Sequence, residues 1–167
     1  MAVDTSIIGK STGAYTVRVE RGPVSFFAAA VQDDNPIYRD PGAAKAAGFD
    51  AIPAPPTFTF AMQHMGRWDE DQPPDPTGGQ NPMHAVMGQL FGSGALILHG
   101  EQEFNYHRPI EVGDVLEGEG KVVDIYEKET DSAVMTFIVV ETTWRDAGSK
   151  EPAVTEKFNL IGRTRKG

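Results

Sequence analysis

Cysteine is absent from this chain, which excludes disulfides and thiolate chemistry and leaves the compartment open. Long apolar runs are absent too: none approaches the roughly 18 residues that a membrane-spanning helix needs. Positive charge is scarce. The 15 Lys and Arg stand against 24 Asp and Glu, for a net charge of −9. Such a surface repels phosphate backbones, so nucleic acid is not an expected partner. It also opposes the long-range approach of an acidic carrier protein, short of a local basic patch. Base is concentrated only at the tail, in Arg163, Arg165 and Lys166, the ordinary composition of a solvated end. The stretch MAVDTSIIGK lacks the basic-then-apolar order of a secretion signal. The expectation is a cytoplasmic protein without membrane contact.

What is present is a chain of 167 residues, 40% of them hydrophobic, without repeats or polar tracts. That length supports one compact domain, residues 1–167, with a substantial core. Tyr15–Glu20 alternates and reads as a strand. In RGPVSFFAAAVQ, Pro23 suits a first helical turn, and Val24, Phe27, Ala28 and Val31 share a helical face. The helix must stop near DDNP, because the residue before a proline avoids the helical region. DPGAAKAAGF predicts a short second helix. After Pro53, Pro55 and Pro56, a helix runs from Thr57 to about Gly66. It is apolar almost all round, which predicts burial on most sides. Asp69–Pro82 is loop by composition, readable either as a lid or partner-binding element or as a disordered insert. The second half reads as four strands in an antiparallel meander, with turns at Val112–Asp114, EKETDSA and DAGSKEP. The class is α+β, with a twisted sheet wrapped around a helix.

Several kinds of chemistry lack their residues. His64, His84, His99 and His107 are scattered, and no pair has metal-ligand spacing, so no metal is expected. If strand alternation holds, His99 and His107 share one face. The GSG at Gly92–Gly94 lacks the Lys-Ser/Thr of a phosphate loop and reads as a flexible turn.

Three stretches carry a family resemblance: QDDNPIYRDPGAAKAAGF, the APPTF that opens the third helix, and LHGEQEFNYHRPIEVGDVL. Together they resemble the MaoC-like hydratases and dehydratases of the hotdog fold. The likeness is strongest to the N-terminal-domain type found in two-subunit (3R)-hydroxyacyl dehydratases of the mycobacterial kind, and it extends from about Tyr15 to Gly162. The resemblance implies a hydro-lyase of fatty-acyl metabolism that needs no cofactor. Its ligand would be an acyl thioester of CoA or acyl carrier protein, and its assembly a homodimer or a heterodimer with a catalytic hotdog subunit.

Adding water across a conjugated thioester needs a base for water, an acid for the α carbon and donors for the enolate oxygen. In the family, an Asp and a His serve the first two, an Asn orients the Asp, and a glycine N–H opening the central helix supplies the third. On this chain the resemblance places the Asp at Asp33, the Asn at Asn35 and the His at Tyr38. A tyrosine, with an ordinary pKa near 10, is a poor base at neutrality. The glycine region falls on Pro55-Pro56, which have no N–H, so Thr57 is the first residue there with a donor. Two of three requirements are damaged at one site. Asp-Asn-Pro also serves well as a capping and turn motif without chemistry. A second Asn-Pro-x-His, in GGQNPMH, has Gly79 where the Asp would stand and reads as coincidence, unless His84 swings over a neighbouring site.

The leading expectation is a subunit with a degenerate site, weak or inactive alone, that binds or stabilises an acyl chain. Thr57, Phe58, Phe60 and Met62 are its expected substrate-binding residues, with Met65 and MGQLFGSGALIL as further tunnel lining. One alternative is a self-sufficient (3R)-specific enoyl-CoA hydratase using Asp33; another is an acyl-binding or assembly module without catalysis. A hotdog thioesterase is disfavoured, since TFTFAMQHMG offers no acid on the central helix.

Overall fold

The computed structural model describes residues 4–166; the first three residues of the N-terminal stretch lie outside them. Strand β1 (Ser11–Arg18) leads into helix α1 (Arg21–Ala30), α2 (Pro41–Ala46), α3 (Phe58–Met65) and α4 (Pro82–Gly92). Strands β2 (Leu96–Tyr106), β3 (Val115–Glu129), β4 (Ala133–Asp146) and β5 (Pro152–Arg165) follow. All five strands form one antiparallel sheet in the order β1-β3-β4-β5-β2. This is the hotdog arrangement, with α3 as the central helix.

The meander holds only for β3, β4 and β5. Strand β2 does not pair with β3; it lies at the far edge against β5. The turn at Val112–Asp114 therefore belongs to a crossover rather than a hairpin. Gly113, at φ +106, takes the left-handed backbone this turn requires. Its N–H donates to the Val19 carbonyl, and the Val19 N–H donates to that of Asp114. Those bonds explain why β1 stops at Arg18 and not at Glu20: the next residue pairs with the crossover. Arg108 fastens the same segment, donating to Asp114 at 2.7 Å and Asp146 at 3.2 Å.

One core cluster gathers Val17, Val24, Phe58, Met62, Leu116, Trp144 and Val154 between the sheet and α1 and α3. Phe27 of α1 meets Phe58 edge-on at 5.5 Å. Val31 was expected on that face, but it follows the helix end and is exposed. Helix α3 buries Phe58, Thr59 and Met62, whereas His64 and Met65 are exposed, so it is covered on one side only. Gly118 is needed beside Trp144: a Cβ there would sit 2.5 Å from the indole ring.

A second cluster joins Val86 and Leu90 of α4 to Ile7, Val122, Ile125 and Ile138. MGQLFGSGALIL thus supplies core through Leu90 and leaves Phe91, Leu96 and Leu98 exposed. The sequence reading missed α4. Its signal was the apparent decoy: Asn81 accepts from the Met83 N–H at 2.9 Å and Pro82 occupies the first turn, a helix start. The segment before it is fastened to β1. Gln72 bonds both the N–H and the carbonyl of Thr16, Arg18 pairs with Asp71 at 2.5 Å, and Asn81 reaches the Thr12 carbonyl at 2.6 Å. This covers the outer edge of β1, which would otherwise be open for pairing.

Candidate active site

The Asp-Asn-Pro stretch begins where α1 ends. Gln32 turns the chain at φ +58, and the Asp33 N–H closes onto the Ala28 carbonyl at 2.9 Å. The Asp33 carboxylate then accepts from the Asn35 N–H at 3.0 Å, and the Asn35 side chain accepts from the Ile37 N–H at 3.2 Å. Pro36 opens a single 3-10 turn, Pro36–Tyr38, and Asp40 with Pro41 repeats the device for α2. Arg39 clamps the loop through the Asp33 carbonyl and the Asp34 carboxylate. Both acid-side candidates are thus engaged in capping their own loop.

Tyr38 is placed differently. It is 8% exposed and lines a cavity of about 440 Å³ with Ile37, Phe49, Pro53, Pro56, Tyr106 and Arg108. Neither Asp33 nor Asn35 is on that wall. Burial, then the nearby Asp33 charge, raises the Tyr38 pKa above its ordinary value. The phenol therefore stays protonated at neutral pH, where it can donate a hydrogen bond. Its hydroxyl has no hydrogen-bond partner among the described residues. Across the cavity, Tyr106 donates to the Pro56 carbonyl, and burial raises its pKa as well.

The start of α3 offers few free backbone donors. The Phe58 N–H is taken by the Pro55 carbonyl at 2.9 Å, and Pro55 and Pro56 have none. The Thr57 N–H is without a partner among the described residues. Thr57 and Phe60 line a second cavity of about 210 Å³ with Phe27, His99, Gln102 and Phe104. Phe58 and Met62, expected as substrate-binding residues, are 1% and 0% exposed and form the core instead. His84 lies in the first turn of α4 beside β1, away from both cavities. His99 and His107 do not share a face. A bulge between His99 and Gln102 reverses the alternation, and His107 lies beyond the strand, near Thr155.

One polar group was missed. Glu156 of β5 is 4% exposed. Its carboxyl accepts from Thr59 in the first turn of α3 at 3.2 Å and from the Trp144 indole at 3.1 Å. The sequence carried a signal, since Glu156 falls in phase with the inward Val154. With both oxygens engaged, it ties the central helix to the sheet.

Comparison with known proteins accords with this geometry. A family model described as FAS1-like, dehydratase domain region, matches residues 6–155. A UPF0336 protein of Saccharopolyspora erythraea is 33% identical over 166 residues, spanning 98% of this chain and 93% of that protein. A chain of the ChsH1-ChsH2 complex from Mycobacterium tuberculosis superposes with a TM-score of 0.75 at 22% identity, covering 95% of this chain and 86% of that one. The HadBC (3R-hydroxyacyl-ACP dehydratase) complex of the same organism gives 0.63 at 22%, covering 95% and 98%. At such identities the structures speak for the fold, and the family model speaks for descent. The chain belongs to the FAS1-like dehydratase domain family, among the hotdog dehydratases and hydratases.

Proposed function

We propose that this chain is the degenerate subunit of a heteromeric (3R)-hydroxyacyl-thioester dehydratase or enoyl-thioester hydratase. It binds or stabilises the acyl chain while a partner hotdog subunit carries the acid–base pair. One observation carries the reading: the residue in the His position is a buried tyrosine whose pKa is raised. A base is missing where the reaction needs one. The Asp33 carboxylate, bonded to its own turn, does not replace it.

Two further features support a partner. Strand β2 forms one edge of the sheet and exposes Leu96 and Leu98, an edge that hotdog subunits cover by pairing. The structural neighbours named ChsH1-ChsH2 and HadBC are complexes of two different subunits.

The test is assembly. Co-expressed with a hotdog subunit that carries both Asp and His, the chain should elute as a one-to-one complex by light scattering. Leu98→Arg on the edge strand should weaken that complex at least tenfold while leaving the chain's melting temperature unchanged. A chain that remains a monomer or homodimer beside every such subunit contradicts the reading.

A further inference from the structure

Strand β4 is apolar on both faces. Inward, Ile138 and Val140 join the cluster under α4. The alternate positions, Ala133, Met135, Phe137 and Val139, point the other way. An antiparallel sheet with one solvated face normally sets polar residues outward, yet none of these four is polar. All four helices contribute to the inner clusters, so none of them covers the outer face.

The register extends this run across β3 and β5 as three rows. The middle row is Tyr126, Phe137 and Ile161, and its two rings stack at 4.7 Å and 5°. One flanking row is Lys128, Met135 and Arg163. The Lys128 Nζ stands 5.5 Å and 5.1 Å from the two ring centroids. The other flanking row is Asp124, Val139 and Asn159, and the Asn159 amide donates to the Glu101 carboxylate at 3.1 Å. An apolar midline thus separates a basic flank from an acidic one. Neither Arg163 nor Asp124 has an ion-pair partner among the described residues. One row beyond Asp124 the charges do meet, with Lys121 and Lys157 at 3.9 Å and 4.0 Å from Glu141.

We propose that this outer face binds a second copy of the chain, sheet against sheet, about a twofold axis running along the Tyr126–Phe137–Ile161 row. A twofold contact must be self-complementary, and this pattern is. Rotation about the middle row exchanges its flanks. Lys128 then faces Asp124 of the second copy, Met135 faces Val139, and Arg163 faces Asn159 with its bonded Glu101. Each of these contacts occurs twice, around an apolar centre with a charged rim. A partner of uniform charge would match one flank and oppose the other. Strand β2 takes no part, so its edge stays open for the heteromeric pairing proposed above, and the contact does not depend on acyl binding.

The experiment is sedimentation equilibrium on the purified chain, as wild type and as Asp124→Lys and Lys128→Asp. Both side chains are exposed, so the substitutions leave the core intact. Wild type should dimerise in the micromolar range. Each variant alone sets two like-charge pairs across the axis and should dimerise about tenfold more weakly, or worse. An equimolar mixture of the two variants restores both opposite-charge pairs, and so does the double variant in one chain. Both should return to within about threefold of wild type. A wild-type chain that stays monomeric through the micromolar range overturns the proposal. So does a dimer indifferent to both variants, which is held elsewhere, as at the β2 edge three strands away from β3. Weakening that neither the mixture nor the double variant repairs overturns the twofold register.

Discussion

Alone, the chain is expected to hydrate a trans-2-enoyl-CoA roughly 10²–10⁴-fold more slowly than the same chain mixed with an Asp- and His-bearing partner, the range that a missing general acid–base group costs. The loss of enoyl absorbance reads this directly. The expectation follows from what each group at the site is already doing. The Asp33 carboxylate holds the Asn35 N–H, and Asn35 holds the Ile37 N–H. Tyr38 keeps its proton because burial and the Asp33 charge both oppose a phenolate. The Phe58 N–H is committed to the Pro55 carbonyl. That leaves two open donors, the Tyr38 hydroxyl and the Thr57 N–H, which can hold a carbonyl but cannot deprotonate water. A chain that matches the mixture in rate would mean that Tyr38 belongs to a rearranged and competent site.

Glu156→Leu is expected to lower stability by about 3 kcal/mol, because it strands the Thr59 hydroxyl and the Trp144 indole N–H in the core. For a chain of this size that is roughly 6–12 °C of melting temperature. Glu156→Gln tests the charge rather than the contacts. Burial, opposed by the Trp144 and Thr59 hydrogen bonds, raises the Glu156 pKa above the ordinary carboxylate value. The folded chain therefore holds that proton to higher pH than the unfolded chain does. Its stabilising contribution is complete below the unfolded pKa and is lost as pH rises through the folded one. Glu156→Gln stays neutral and lacks that loss. It should melt above wild type at pH 8, with the gap closing toward pH 4. A constant gap would mean that Glu156 is ionised in the fold throughout.

The sequence carried the elements whose causes are local. The helix from Thr57 to Gly66 announced itself through its prolines and apolar face, and the Asp-Asn-Pro turn through its capping residues. The proposal of a degenerate site rests on equally local evidence: Tyr38, Pro55 and Pro56 are single residues whose chemistry is fixed. What the sequence hid depends on distant partners. The path of β2 to the far edge is a matter of pairing with β5, and nothing between Leu96 and Tyr106 specifies that. The bulge that separates His99 from His107 and turns Gln102 inward is a property of two strands together. Helix α4 was overlooked because its Asn81-Pro82 start was weighed as a catalytic motif and not as a cap. Phe58 and Met62 lie on the face of α3 that packs on the sheet, and a helix apolar all round gives no sign of which face that is.

The central claim, that the chemistry lies on another subunit, is tested most directly by Asp33→Asn in the assembled complex. The measurement is the steady-state hydration rate of a trans-2-enoyl-CoA by the complex, with wild-type and Asp33→Asn chains side by side. The account predicts rates within about twofold, since asparagine keeps the side-chain oxygen that accepts from the Asn35 N–H. A fall of roughly a hundredfold or more, the loss of a working acid–base group, with the complex intact, would place a catalytic residue at Asp33 and contradict it.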